Sequence, residues 1–147
     1  VKTGKAGVSV LQDENLTIDM LAPNQDKYSS LNNYSIVLKI TYGNTSFLYT
    51  GDAEELSEKE ITGDVKADVL KVGHHGSDSS SSDEFLKRVN PKYAIISVGK
   101  DNSYDHPSSS TIHKLEKYTN YIYRTDLNGT ITVTSDGENI DVKVEKK

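Results

Sequence analysis

Residues 68–77, Asp-Val-Leu-Lys-Val-Gly-His-His-Gly-Ser, lead from a short apolar run directly into two histidines between glycines. The run at 68–72 is typical of a buried strand. Histidine is a common neutral metal ligand and also acts as a general acid or base near neutral pH. Because the glycines let the chain approach closely, the segment indicates a loop that meets a metal, a phosphate or a labile proton. The alternative is that His74 and His75 lie in a mobile surface loop.

Two further predicted strands end in loops that carry metal-type ligands. Residues 50–54 place Asp52 at a strand end, where a carboxylate is held on rigid backbone; alternatively, Asp52 simply caps the helix that follows. Residues 97–107 end in His106-Pro107. We predict that Pro107 lies in the first turn of a helix, with His106 at or near its N-cap. There the helix dipole lowers the pKa of an imidazole, so a neutral His106 could be a ligand or a phosphate contact. The alternative is that His106 is an ordinary turn residue.

Strands alternate with helices along the rest of the chain. The pattern predicts strands at 8–11, 16–21, 35–42, 45–50, 68–72, 93–98, 121–124, 129–134 and 140–144. It predicts helices at 54–61, closed by Gly63, at 83–89, capped by Ser82, and at 109–118. This alternation indicates a layered α/β (α+β) fold with a mixed β-sheet and flanking helices.

Composition excludes several classes of protein. The 147 residues suit a single domain, residues 1–147, and carry a formal net charge of -5. The absence of cysteine excludes a disulfide framework, a thiolate nucleophile and a cysteine zinc site. No apolar run approaches the roughly 20 residues of a membrane-spanning helix. The acidic balance argues against a protein that coats DNA, but it allows a nuclease whose metal ions supply the positive charge.

Five stretches of the chain carry the motifs of one known family in that family's order. They are residues 32–38 (Asn-Asn-Tyr-Ser-Ile-Val-Leu), 48–54, 70–77, 96–99 with Asn102, Tyr104, His106 and Pro107, and 123–129. On these residues the chain resembles the metallo-β-lactamase-fold hydrolases. More narrowly, it is similar to the C-terminal domain of the ComEC competence proteins and their secreted stand-alone relatives.

The resemblance implies a four-layer αββα sandwich with a two-metal site at one edge of its sheets. Asp52 would bridge the metals, and either His74 or His75 would be the last metal ligand while the other contacts substrate or relays a proton. His106 would act beside the metals on substrate or as an acid/base, so His75 and His106 are the catalytic candidates. The residues implied to bind substrate are Asn32, Asn33, Ser77, Asn102 and Tyr104.

The family's first ligand cluster, of the HxHxDH type, has no counterpart here, because no histidine precedes His74. We therefore expect half of the αββα sandwich, its C-terminal portion, with too few ligands for a complete metal site and no activity by itself. We also expect an exposed apolar sheet face that pairs with the missing N-terminal half or with a second copy in a homodimer.

The resemblance implies a zinc- or manganese-dependent phosphodiesterase or nuclease that acts on DNA during competence-related uptake. Such a protein would work at the extracellular face of a bacterial membrane or in secreted form, and this chain itself is expected to make no membrane contact. Two alternatives stay open. One is a secreted hydrolase of small phosphoesters such as phosphorylcholine groups, and the other is a non-catalytic binding or scaffold module.

Overall fold

A seven-stranded mixed sheet forms the centre of the protein, described here over residues 3–146 of a computed structural model. In order across the sheet its strands are β1 (Ser9–Gln12), β2 (Leu16–Ala22), β3 (Val37–Tyr42), β4 (Thr45–Tyr49), β5 (Val69–Lys71), β6 (Tyr93–Ile96) and β7 (Tyr121–Arg124). Strands β1 to β4 pair antiparallel, whereas β4 to β7 pair parallel. The predicted mixed sheet is therefore confirmed.

Helices make the crossovers between the parallel strands. Helices α1 (Glu55–Glu60), α2 (Asp83–Val89) and α3 (Ser109–Glu116) follow β4, β5 and β6, and the short α4 (Thr125–Asn128) follows β7. Ser82 caps α2, as predicted, by accepting a backbone N–H from the first turn. Helix α1 ends before Ile61, whose backbone is extended, so the prediction that Gly63 closes it is wrong. Within residues 3–146 no helix has the length and apolar character needed to cross a bilayer.

The apolar core lies between the sheet and helices α2 and α3. Leu48, Leu70 and Ala94 lie side by side on β4, β5 and β6, and all three are fully buried. Helix residues that pack into the same cluster are Phe85, Leu86, Val89 and Leu115. Because side chains alternate along a strand, the neighbours of Leu48 on β4 point to the opposite face of the sheet.

A β-hairpin lies against that opposite face. Its strands are β8 (Ile131–Ser135) and β9 (Ile140–Val144), and they pair antiparallel, as the sequence predicts. The Ser135 and Thr45 hydroxyl oxygens lie 2.7 Å apart and link the hairpin to the sheet. A groove of about 400 Å³ remains between the two, lined by Phe47, Tyr49, Val69, Lys71, Ile95, Ile131 and Val133. The hairpin therefore covers this apolar face only in part.

Candidate active site

Three loops meet at the edge of the sheet where the parallel strands end. Asp52 follows β4, the pair His74 and His75 follows β5, and His106 lies in the loop after β6. His75 Nε2 is 3.7 Å from Asp52 Oδ1. The ring centroids of His74 and His106 are 5.7 Å apart, and those of His74 and His75 are 6.4 Å apart. The structure thus brings together the four residues that the sequence predicts as metal or catalytic groups.

The Nε2 atom of His75 faces Asp52, and a backbone contact at Nδ1 determines which tautomer the neutral ring adopts. His75 Nδ1 lies 2.7 Å from the backbone oxygen of Ser97. A carbonyl oxygen only accepts hydrogen bonds, so Nδ1 carries the proton and Nε2 keeps its lone pair in the neutral ring. His75 Nε2 and a carboxylate oxygen of Asp52 therefore face each other, and both side chains are about half exposed to solvent.

An unusual backbone conformation orients the two histidines. Residues 73–76 form a 3-10 turn in which His74 and His75 have φ values of 47° and 53°. Residues other than glycine rarely adopt this left-handed region, and each such residue costs on the order of 1–3 kcal/mol. Gly76 lets the next loop approach, because a Cβ there would lie 2.5 Å from Pro107 Cβ. This close approach brings His106 beside His74.

His106 differs from its predicted setting. The N-cap of α3 is Ser108, whose side chain accepts the Thr111 N–H, so the prediction that Pro107 lies in the first turn is wrong. His106 lies two residues before the N-cap, near the helix start but not at it. The pKa of His106 is nevertheless lowered, first by burial and then by repulsion from His74 and His75. The pKa of His106 is thus lowered in the predicted direction, with burial as the main cause.

Asp52 does not cap a helix. The N-cap position of α1 belongs to Glu54, and the Asp52 backbone N–H donates to Ser35 Oγ at 3.0 Å. The Asp52 carboxylate is left free to face His75.

Asn32 and Asn33, predicted to bind substrate, use their side-chain amides inside the protein. Asn32 Nδ2 and Asn33 Nδ2 donate to the two carboxylate oxygens of Glu54 at 3.0 and 3.2 Å. The Glu54 backbone N–H in turn donates to Asn33 Oδ1. The Asn32 hydrogen bond is the largest of several effects that lower the pKa of Glu54, among which is attraction to His74. Glu54 is not among the residues predicted from the sequence, because its only signal there is its place two residues after Asp52.

Ser77 and Asn102 also hold loops in place. Ser77 is buried, and its hydroxyl lies 3.0 Å from that of Ser79, which is itself 3.3 Å from His74 Nδ1. Asn102 Nδ2 donates to the backbone oxygens of Gly99 and His106, and its Oδ1 accepts the N–H groups of Tyr104 and His106. Tyr104 remains largely exposed, and its ring stacks on His106. That these residues bind substrate stays a prediction.

Lys71 is the cation nearest in sequence to the paired histidines. Its Nζ donates to the Val72 backbone oxygen at 2.8 Å, and the side chain is largely buried. Burial lowers the pKa of Lys71, while the Asp52 carboxylate acts in the opposite direction. Arg124, by contrast, is paired with Asp126 at 2.6 Å.

Comparisons with known proteins agree with this arrangement. Residues 16–100 match the metallo-beta-lactamase superfamily. The chain belongs to this superfamily. It is 44% identical over 125 residues to ComE operon protein 3 of Bacillus subtilis and 34% identical over 124 residues to competence protein ComA of Neisseria gonorrhoeae. It is also 33% identical over 131 residues to recombination protein 2 of Haemophilus influenzae.

These three alignments cover most of this chain but a small part of each relative. They include 83%, 82% and 88% of the chain, and 16%, 18% and 17% of the relatives. The matches are consistent with a ComEC-type competence domain. The chain spans about one sixth of the length of the curated relatives that it matches.

Metallo-beta-lactamase superfamily proteins usually depend on metal, and the residues of this chain fit such a site incompletely. Asp52 and His75 supply two donor atoms that converge from neighbouring loops. A hydrolytic zinc site commonly needs three protein ligands and an open position. Within residues 3–146 no group of three or more His, Cys, Asp and Glu side chains could hold a metal ion. The described residues therefore do not form a complete metal site by themselves.

Proposed function

We propose that this chain is part of a phosphodiesterase, or nuclease, of the ComEC type that acts on DNA during competence-related uptake. The observation that carries the proposal is the Asp52–His75 pair, in which an oriented ring nitrogen lies 3.7 Å from a carboxylate at the carboxyl ends of parallel strands. Ligands of open α/β sheets bind at such strand ends. The names of two relatives, a competence protein and a recombination protein, support a role with DNA.

In this proposal, Asp52 and His75 are two ligands of a zinc or manganese site whose other ligands come from outside these 147 residues. His/Asp donor sets suit those metals. The chain alone is then inactive, which agrees with the incomplete ligand set of the described residues. The whole protein would act at the extracellular face of a bacterial membrane or in secreted form.

His74 and His106 contact the substrate in this proposal. Their rings lie edge to face beside the Asp52–His75 pair, so a phosphodiester held at the pair would touch both. His106 is neutral near pH 7 because its pKa is lowered, and a neutral imidazole both donates and accepts a hydrogen bond. It can therefore hold a proton close to the leaving oxygen of the substrate.

The replacement Asp52→Asn in the full natural protein tests the proposal. The amide keeps the shape of the carboxylate but loses its charge. Metal-dependent cleavage of a labelled single-stranded oligonucleotide should therefore fall to the rate measured without protein. Asp26→Asn is the matched control, because Asp26 is an exposed loop residue. Unchanged cleavage by Asp52→Asn would contradict the proposal.

A non-catalytic scaffold is the second candidate, favoured by the incomplete ligand set in residues 3–146. A scaffold has no need of a histidine nitrogen oriented toward Asp52 or of two histidines in left-handed backbone. If the full natural protein cleaves neither DNA nor a choline phosphodiester with zinc or manganese present, the scaffold is the better assignment.

A further inference from the structure

The rim of the candidate active site carries exposed apolar side chains, although the centre of the site is polar. Of the large apolar side chains in the described part of the chain, the most exposed are Leu31, Tyr104 and Leu127, at 84%, 77% and 62%. All three lie on segments attached to the site. A ligand that fits both the centre and the rim has a charged group flanked by apolar or aromatic groups.

Hydrogen bonds attach the segments of the two leucines to the site. Leu31 opens the 3-10 turn Leu31–Tyr34, whose two asparagines bind Glu54, two residues after Asp52. Leu127 lies in α4, where Thr125 Oγ1 accepts the Val98 N–H and donates to the Val98 carbonyl, just beyond β6. The segment of Leu31 therefore contacts the loop that carries Asp52, and the segment of Leu127 contacts the loop that carries His106.

Tyr104 is held with one ring face against His106. The two rings are nearly parallel, at 21°, with centroids 5.7 Å apart. The four hydrogen bonds of Asn102 fix the backbone on both sides of the tyrosine. A held aromatic ring with an open face can stack a flat ligand at a low cost in conformational entropy.

We propose that Tyr104 stacks an unpaired base of a single-stranded nucleic acid whose phosphodiester lies over the histidines, with Leu31 and Leu127 against neighbouring bases. The inference rests on the proposed function and adds to it the group that recognises the substrate. Every base has a π-face, so such a platform accepts any sequence. Bases of a duplex stack on one another and leave no face free for Tyr104.

The acidic residues beside Tyr104 distinguish binding by base stacking from binding of the phosphate backbone by basic residues. Asp101 and Asp105 lie in the same loop as the ring, and both are exposed. These carboxylates repel phosphates, so the loop gains little from the backbone of the strand. Binding at Tyr104 should therefore depend weakly on salt, unlike binding through lysine and arginine.

Fluorescence anisotropy with the 147-residue chain tests the inference. The probes are a labelled oligothymidylate, an abasic strand of equal length and charge, and a duplex. We expect the oligothymidylate to bind most tightly, Tyr104→Ala to weaken its binding about tenfold, and Tyr104→Phe to bind as the unaltered chain does. Tyr121→Ala is the matched control, because Tyr121 is exposed at the opposite end of the sheet.

Three results would overturn the inference: equal binding of the abasic strand, no effect of Tyr104→Ala, or no binding of the oligothymidylate. Cleavage assays with the full natural protein distinguish the stacking role of Tyr104 from the proposed function. If Tyr104→Ala binds like the unaltered chain while Asp52→Asn is inactive, the proposed function stands and the stacking role of Tyr104 fails. If Tyr104→Ala loses binding while Asp52→Asn cleaves normally, the stacking role stands and the proposed function fails.

Discussion

Glu58 is a buried carboxylate that supports the site from a distance. Its Oε1 accepts the Ser81 N–H at 2.5 Å, and its Oε2 accepts the backbone N–H and hydroxyl of Ser82 at 2.9 and 2.8 Å. The serine-rich loop that it holds also carries Ser79, the neighbour of His74 Nδ1. Burial raises the pKa of Glu58, although its hydrogen bonds act in the opposite direction.

This raised pKa predicts a specific dependence of stability on pH. A carboxyl group whose folded-state pKa is raised contributes its stability in full below the unfolded-state pKa, near 4.5, and loses it as pH rises through the folded-state pKa. We expect the free energy of unfolding to fall over that range. Glu58→Gln cannot ionise and should remove this part of the fall.

Urea unfolding at a series of pH values, from acid to neutral, measures the effect. Glu84→Gln is the control, because Glu84 is an exposed residue of the first turn of α2. If the free energy of unfolding of Glu58→Gln changes with pH in parallel with that of the unaltered protein, Glu58 does not titrate as described.

The candidate residues could be predicted from the sequence, but their geometry could not. Glycines and strand ends identified Asp52, His74, His75 and His106 as the candidate set. Which histidine faces Asp52 depends on the left-handed backbone of both histidines and on the Ser97 carbonyl. Those contacts arise only when the loops after β5 and β6 meet.

At the scale of elements, alternating apolar residues predicted the strands and the mixed sheet well. The start of α3 at Ser109 was predicted correctly, but Pro107 was wrongly assigned to its first turn, and the hydroxyl that makes the capping hydrogen bond belongs to Ser108. A serine ahead of a helix is as strong a start signal as a proline in its first turn.

The loops show the limit of sequence patterns. Glu54 receives the side-chain amides of Asn32 and Asn33, which lie more than twenty positions earlier in the chain. Asn102, by contrast, binds residues within four positions, yet its sequence alone does not distinguish this loop from other polar turns. Contacts between distant segments follow from the assembled sheet and carry no periodic signal.

For the whole molecule, the partly covered sheet face predicts self-association, which we propose as a homodimer. Tyr49, at the groove under the hairpin, is 45% exposed. Exposed apolar faces of this kind favour association. Sedimentation should give a mean mass that rises with protein concentration, and Tyr49→Lys should reduce the rise.

Leu56→Lys is the control for this prediction, because Leu56 is similarly exposed, at 48%, on helix α1 at the other face of the sheet. It should associate as the unaltered chain does. A mean mass that stays at the monomer value as the concentration rises would contradict the prediction. It would show that the hairpin covers the apolar sheet face well enough to prevent self-association.

The most direct test of the Asp52–His75 site is zinc and manganese binding by the full natural protein, measured by calorimetry for His75→Ala and His74→Ala. His75 presents its Nε2 to Asp52, whereas His74 faces His106 and Ser79. We predict that His75→Ala weakens metal binding about tenfold or more, while His74→Ala binds nearly as well as the unaltered protein. Loss of binding in His74→Ala with full binding in His75→Ala would contradict the site described here.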